Sequence, residues 1–255
     1  MKYKLLISYD GTDFEGWQRQ AQGQKTIQSE LETAISQICN ERVSLIGSGR
    51  TDSGVHAFGQ VAHFSTEKAL TGSFLRSVNS LLPDAISVLK AFEAPEEFHA
   101  QKSALSKTYL YKIYNSETPD PLQRRYTTWM KKPISAEKLN EICKPLLGEH
   151  DFKSFQTTGT ELKTTVRTLI EAQWTFESPK QLVFKITGTG FLKQMVRNIV
   201  GTAIYLEQNG LGPQEIIDIL GQLDRQAAKM TAPATGLFLY EVHYPLELDN
   251  KCREL

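Results

Sequence analysis

The chain is poor in the features that mark specialised protein classes. Its 255 residues hold three cysteines, Cys39, Cys143 and Cys252, odd in number and far apart. That pattern provides neither a disulfide frame nor a zinc site and fits reduced thiols in a cytoplasm. The five histidines show no metal-ligand spacing; His56 and His63 lie seven apart with no cysteine or acid pattern around them. No apolar run approaches a membrane span. The apolar core of residues 1–10 is too short for a signal peptide and alternates like a strand. No low-complexity linker is present, and the net charge is zero. Zero net charge by itself argues against a nucleic-acid partner.

The distribution of charge says something different. Residues 1–100 carry 9 Lys/Arg and 12 Asp/Glu, a balance of −3. Residues 101–200 carry 16 and 9, or +7, and residues 201–255 carry 4 and 8, or −4. Within 102–132 seven basic residues (Lys102, Lys107, Lys112, Arg124, Arg125, Lys131, Lys132) face only Glu117 and Asp120. Tyr109, Tyr111, Tyr114, Tyr126 and Trp129 interleave with them. Basic plus aromatic is the composition of a surface that binds phosphates and stacks bases. An ordinary solvated strand face has the same composition and is the commoner outcome.

Hydrophobic content of 40% and charged content of 23% are those of a globular protein with a real core. Period-2 alternation predicts strands at 2–9, 42–46, 57–65, 86–93, 107–115, 165–176, 181–187 and 236–244. Helical spacing predicts helices at 27–40 after a Thr26 cap, at 71–82 stopping before Pro83, at 136–147 after Ser135, and at 191–208 ending at Asn209-Gly210. A short helix opens at Pro213. Strands joined by turns, with two helices in each half, make an α+β pattern and not a βαβ alternation. The expected division is an N-terminal half, 1–104, and a C-terminal half, 105–255.

Three residues have chemical potential. Asp52 lies in Gly47-Ser48-Gly49-Arg50-Thr51-Asp52-Ser53-Gly54-Val55-His56, a turn between two strands. A turn held by strands is where a chain presents reactive groups, although an Asp there also often bonds the local backbone. Asp52-Ser53-Gly54 also suggests an aspartic hydrolase, but such enzymes need a second carboxylate, and no second Asp-Ser-Gly or Asp-Thr-Gly exists. A Ser53–His56 dyad is conceivable, without the G-x-S-x-G elbow that usually aims such a serine. Arg197 sits in a helix that is apolar on most sides, where a largely buried guanidinium takes a partner, a structural acid as readily as a functional carboxylate or phosphate. Tyr109 shares a strand face with Tyr111, as core packing or as a stacking platform with a phenol.

Taken together, these residues resemble a known family. Residues 49–56 with Gly59-Gln60-Val61 resemble the catalytic motif of the tRNA pseudouridine synthases that modify the anticodon stem-loop, the tRNA pseudouridine synthase A family. Tyr9-Asp10-Gly11-Thr12, Gly16-Trp17-Gln18-Arg19-Gln20, Phe98-His99-Ala100, Lys107 to Tyr111, His150-Asp151-Phe152, Met195 to Gly201 and Gly236 to Leu239 are similar to that family too, in its order and near its spacings. The resemblance implies an α+β fold of two similar halves whose antiparallel sheets join into one, with the active cleft between them. It implies a cytoplasmic homodimer that binds tRNA, not DNA or a membrane, and needs no metal or organic cofactor. The targets it implies are uridines 38, 39 and 40. By motif matching, Asp52 is the catalytic carboxylate. Arg50 helps displace the target nucleotide, Tyr109 stacks on the flipped uracil, and Arg197 pairs with Asp52.

Overall fold

A computed structural model describes residues 1–20, 23–157, 159 and 163–255. They form two compact units: Met1–Ser106 with Phe238–Leu255, and Lys107–Leu237. In chain order the first stretch runs β1 (Lys2–Tyr9), α1 (Ile27–Cys39), β2 (Ile46–Gly47), β3 (His56–Ser65), α2 (Phe74–Leu81) and β4 (Ile86–Ala94). The second unit holds β5 (Ser106–Asn115), β6 (Thr128–Met130), α3 (Ala136–Cys143), β7 (Gly148–Asp151), β8 (Val166–Ser178), β9 (Gln181–Gly188), α4 (Met195–Gln208) and α5 (Pro213–Gln222). The chain closes with β10 (Leu237–His243), α6 (Leu246–Asp249) and β11 (Arg253–Glu254). Among the described residues no helix is long and apolar enough to cross a membrane.

In the first unit β1 is central, antiparallel to β3 (Leu5↔Ala62) and to β4 (Leu5↔Ala91). β10 joins β3 in parallel through Phe238↔His56, and β11 extends β4. Alternation along β1 buries Tyr3, Leu5, Ile7 and Tyr9. Helix α1 buries Ile27, Leu31, Ala34 and Ile35, which recur at helical spacing. Its start follows from Thr26: the hydroxyl accepts from Ser29 N–H, and the Ser29 hydroxyl accepts from Thr26 N–H, a reciprocal cap. Asn40 ends the helix in the left-handed region at φ 55°.

The expected strand over 42–46 is a correction. Val43 and Leu45 are buried as alternation requires, but only Ile46–Gly47 pairs as strand. Side chains of α1 take the backbone bonds a neighbouring strand would have taken. Ser36 Oγ accepts from Val43 N–H at 2.9 Å, Glu32 Oε1 from Leu45 N–H at 2.9 Å, and the Leu45 carbonyl accepts from Gln28 Nε2 at 3.0 Å. Helix α2 is also shorter than expected, beginning only after Ser73.

In the second unit β5 pairs antiparallel with β9 (Tyr109↔Ile186), β9 with β8, and β8 with β7. Tyr109, Tyr111 and Ile113 share the buried face of β5. Trp174 stacks on Phe184 at 4.5 Å, and its indole N–H points to Cys143 Sγ at 3.4 Å. Burial pushes the Cys143 thiol up to about 12, so it stays protonated and inert. All three cysteines are free. The helix expected from residue 191 begins at Met195, because Gln194 adopts φ 59° and resets the chain. At Gly201 a Cβ would lie 1.9 Å from the Met230 carbonyl oxygen. Only glycine admits that segment against α4.

Candidate functional site

Asp52 follows two residues of β2 and precedes β3, on a loop pinned through its backbone. The Thr51 carbonyl accepts from Trp17 N–H at 3.1 Å, and the Asp52 carbonyl from Val55 N–H at 3.1 Å. Gly16, at φ +86°, lies so close that a Cβ would come within 2.6 Å of the Thr51 oxygen. Gly11 is tighter, its Cβ position 2.0 Å from the Val55 oxygen. The segment after β1 therefore locks onto the loop, and two glycines permit the contact. The Asp52 side chain is half-buried, while Arg50 is exposed. A fixed backbone, a carboxylate at the surface and a cation two residues away form a site that can hold an anionic ligand and stabilise developing positive charge.

Beneath the loop lies a buried polar cluster. Gln60, fully buried on β3, accepts from Ser48 Oγ at 2.7 Å and donates from Nε2 to the Gly49 carbonyl at 2.9 Å. Tyr9, the last residue of β1, shares a 2.8 Å hydrogen bond with Thr51 Oγ1. Burial pushes the Tyr9 phenol well above its ordinary range, with Thr51 and then Gln60 opposing in part. Sequence reasoning gave these residues no role. A Gln between Gly59 and Val61, within the apolar middle Ala57–Ala62 of the strand, was the available signal.

The dyad reading fails on geometry. Ser53 Oγ donates to the Phe14 carbonyl at 3.1 Å, and His56 Nδ1 accepts from Gly11 N–H at 3.2 Å. The His56 ring stacks on Phe238 at 4.7 Å.

In the second unit Tyr109 is buried, its ring meeting Phe191 edge-on at 5.0 Å. Arg197 is half-buried, not largely buried as expected, and its Nε donates to the Ala232 carbonyl at 2.7 Å. Ala232 N–H returns a bond to the Arg197 carbonyl at 3.0 Å. The next residue, Asn198, is fully buried and accepts from Thr231 Oγ1 at 2.6 Å and Arg225 at 3.1 Å. Tyr111 donates to the Pro233 carbonyl at 3.0 Å. Burial raises its phenol, and the Arg197 charge opposes the rise.

The basic, aromatic segment divides in two. Tyr109 and Tyr111 are buried, Tyr109 at 7% exposure and Tyr111 at 0%, whereas Arg124, Tyr126, Trp129, Lys131 and Lys132 are exposed. The exposed part has the chemistry of a phosphate-binding surface. Among the described residues no cluster of three or more His, Cys, Asp or Glu is placed to hold a metal.

Comparison with known proteins adds to this geometry. The tRNA pseudouridine synthase family profile matches residues 5–101 and 142–245. The tRNA pseudouridine synthase A of Bdellovibrio bacteriovorus is 46% identical, covering 100% of this chain and 99% of its own. That of Maridesulfovibrio salexigens is 43% identical over 95% of this chain and 90% of its own. That of Ruminiclostridium cellulolyticum is 40% identical over 95% and 99%.

Proposed function

This chain belongs to the tRNA pseudouridine synthase family, and on that premise we propose that it isomerises uridine to pseudouridine at positions 38, 39 and 40 of the tRNA anticodon stem-loop, with Asp52 as the catalytic carboxylate. The observation that carries this reading is Asp52 itself: a half-buried acid on a loop with a pinned backbone, in a chain similar to these enzymes along its length.

The reaction breaks the N1–C1′ bond, turns the uracil over and joins C5 to C1′. One proton leaves C5 and one is gained at N1, so nothing is oxidised or consumed. A target in a stem must first leave its stack, which costs a few kcal/mol. Arg50, exposed on the loop, is the group proposed to help displace it. Tyr109 is proposed to stack on the uracil, an interaction worth roughly 1–3 kcal/mol per base. Breaking a bond at an anomeric carbon builds positive charge on the sugar, and a carboxylate stabilises it, as in glycoside cleavage. Arg197 is proposed as the counter-charge of that carboxylate. The exposed cations between Arg124 and Lys132 supply sequence-independent attraction for phosphates.

From the family resemblance the enzyme is proposed to act in the cytoplasm as a homodimer, with tRNA as its partner. Mapping pseudouridine in tRNA incubated with the purified protein tests the reading. Modification confined to residues 38–40 supports it, and unmodified tRNA or scattered sites would end it.

A further inference from the structure

We propose that Gln60, Tyr9 and Thr51 are positioning residues for this reaction, forming a buried brace that fixes the loop carrying Arg50 and Asp52. The proposal rests on the reading of Asp52 as the catalytic carboxylate. Its evidence is the placement of four polar side chains. Ser48 and Gln60 are 0% exposed, Tyr9 4% and Thr51 7%. Burying that many polar groups is costly unless they bond one another. Here their bonds converge on a single loop. Gln60 holds the loop before Arg50, through the Gly49 carbonyl and the Ser48 hydroxyl. Tyr9 holds it after Arg50, through the Thr51 hydroxyl. Asp52 is the next residue.

The two anchors come from rigid neighbours. Tyr9 ends β1 and Gln60 lies in β3, strands paired through Ile7↔Gln60. The loop is thereby referenced to the centre of the sheet and not to solvent. Glycine and serine make this loop intrinsically loose, so side chains from the sheet must supply its rigidity. A reacting carboxylate displaced by about 1 Å loses on the order of 10²-fold in rate. The brace therefore acts on turnover and not on tRNA binding.

The test measures single-turnover rate and tRNA dissociation constant for Asp52→Asn, Gln60→Leu, Tyr9→Phe, Thr51→Val and Thr51→Ser. Gln60→Leu is expected to slow turnover by about 10²-fold. Tyr9→Phe and Thr51→Val should each slow it by about tenfold, the loss of one buried hydrogen bond, and combine without adding because the two hydroxyls form one bond. Thr51→Ser keeps the hydroxyl and should restore the rate. Dissociation constants should stay within about threefold. Normal rates in both hydroxyl variants, no rescue by serine, or losses confined to binding would overturn the brace. Asp52→Asn separates the two readings. If it is inactive while the brace variants are normal, only the brace falls; if it turns over, the catalytic assignment falls. Should Gln60→Leu fail to fold, the isosteric Tyr9→Phe and Thr51→Val variants decide the outcome.

Discussion

Replacing Gly16 with alanine isolates the loop clamp, because one added carbon meets two separate obstacles. The first is backbone conformation: Gly16 has φ +86°, a left-handed geometry that costs an L-residue about 1–2 kcal/mol. The second is contact. The new Cβ would stand 2.6 Å from the Thr51 oxygen, 3.0 Å from the Asp52 carbonyl carbon and 3.1 Å from Ser53 N. Ordinary contact begins at 3.4 Å, so the Thr51 carbonyl must retreat by 3.4 − 2.6, about 0.8 Å. The atoms that must move belong to the backbone of the candidate catalytic residue and its neighbours. A shift of that size predicts a fall of roughly 10²-fold in kcat. The conformational cost predicts a melting temperature lower by about 2–8 °C for a chain of this length. Gly210→Ala is the control. Gly210 has φ +67° with nothing within 4 Å, so it should lose stability and keep kcat. Release of tritium from tRNA labelled at uracil C5 reads the rate, and a thermal melt reads stability. If Gly16→Ala loses stability like Gly210→Ala but turns over normally, the clamp does not position Asp52 and the reasoning is refuted.

Other outcomes follow from the same geometry. Gly201→Ala puts a Cβ 1.9 Å from the Met230 oxygen, and should cost about 1–3 kcal/mol in denaturant unfolding; an unchanged midpoint would mean the contact yields freely. His63 is buried and its Nδ1 accepts from Ala100 N–H at 3.1 Å. Burial, then the charges of His99 and Lys2, push its pKa down from 6.5 to about 4. Between those values the unfolded chain binds the extra proton, so this stabilisation is complete above pH 6.5 and is lost as pH falls toward 4, by at most about 3 kcal/mol. His63→Gln should flatten that slope in unfolding curves at pH 4.5 and 7.5; identical slopes would contradict the assignment. Tyr109→Phe keeps the ring and removes the phenol. We propose that this phenol also takes the proton that leaves C5, so the variant should slow release of C5 tritium while leaving tRNA affinity intact, and normal release would exclude the phenol as proton acceptor.

Local patterns were legible wherever local physics decides. Thr26 capping α1, the β1 alternation and the Tyr109–Tyr111–Ile113 face all follow from spacing, because burial of one face fixes the register. Val43 and Leu45 show the limit. Their alternation reports which side chains are buried, and says nothing of whether a strand or the side chains of a helix bond the backbone. The start of α4 was displaced for a related reason. Phe191 and Leu192 continue the apolar pattern, while the left-handed turn at Gln194 has no glycine to announce it. The parallel pairing of β10 with β3 joins residues about 180 positions apart, and strand partners at that distance leave no local trace. At the site, Asp52 stood out because an acid in a Gly/Ser turn is visible chemistry. The brace did not, because Tyr9 reads as core and Gln60 as an ordinary strand residue until Ser48, Gly49 and Thr51 are seen to be their partners.

The most direct test of the central claim is C5-tritium release by Asp52→Asn beside its tRNA affinity. Asparagine keeps the size of the side chain and removes its charge. Release should fall to background while tRNA still binds as the parent does. Substantial release by the asparagine variant would show that the chemistry does not need this carboxylate, and the account built on it would be wrong.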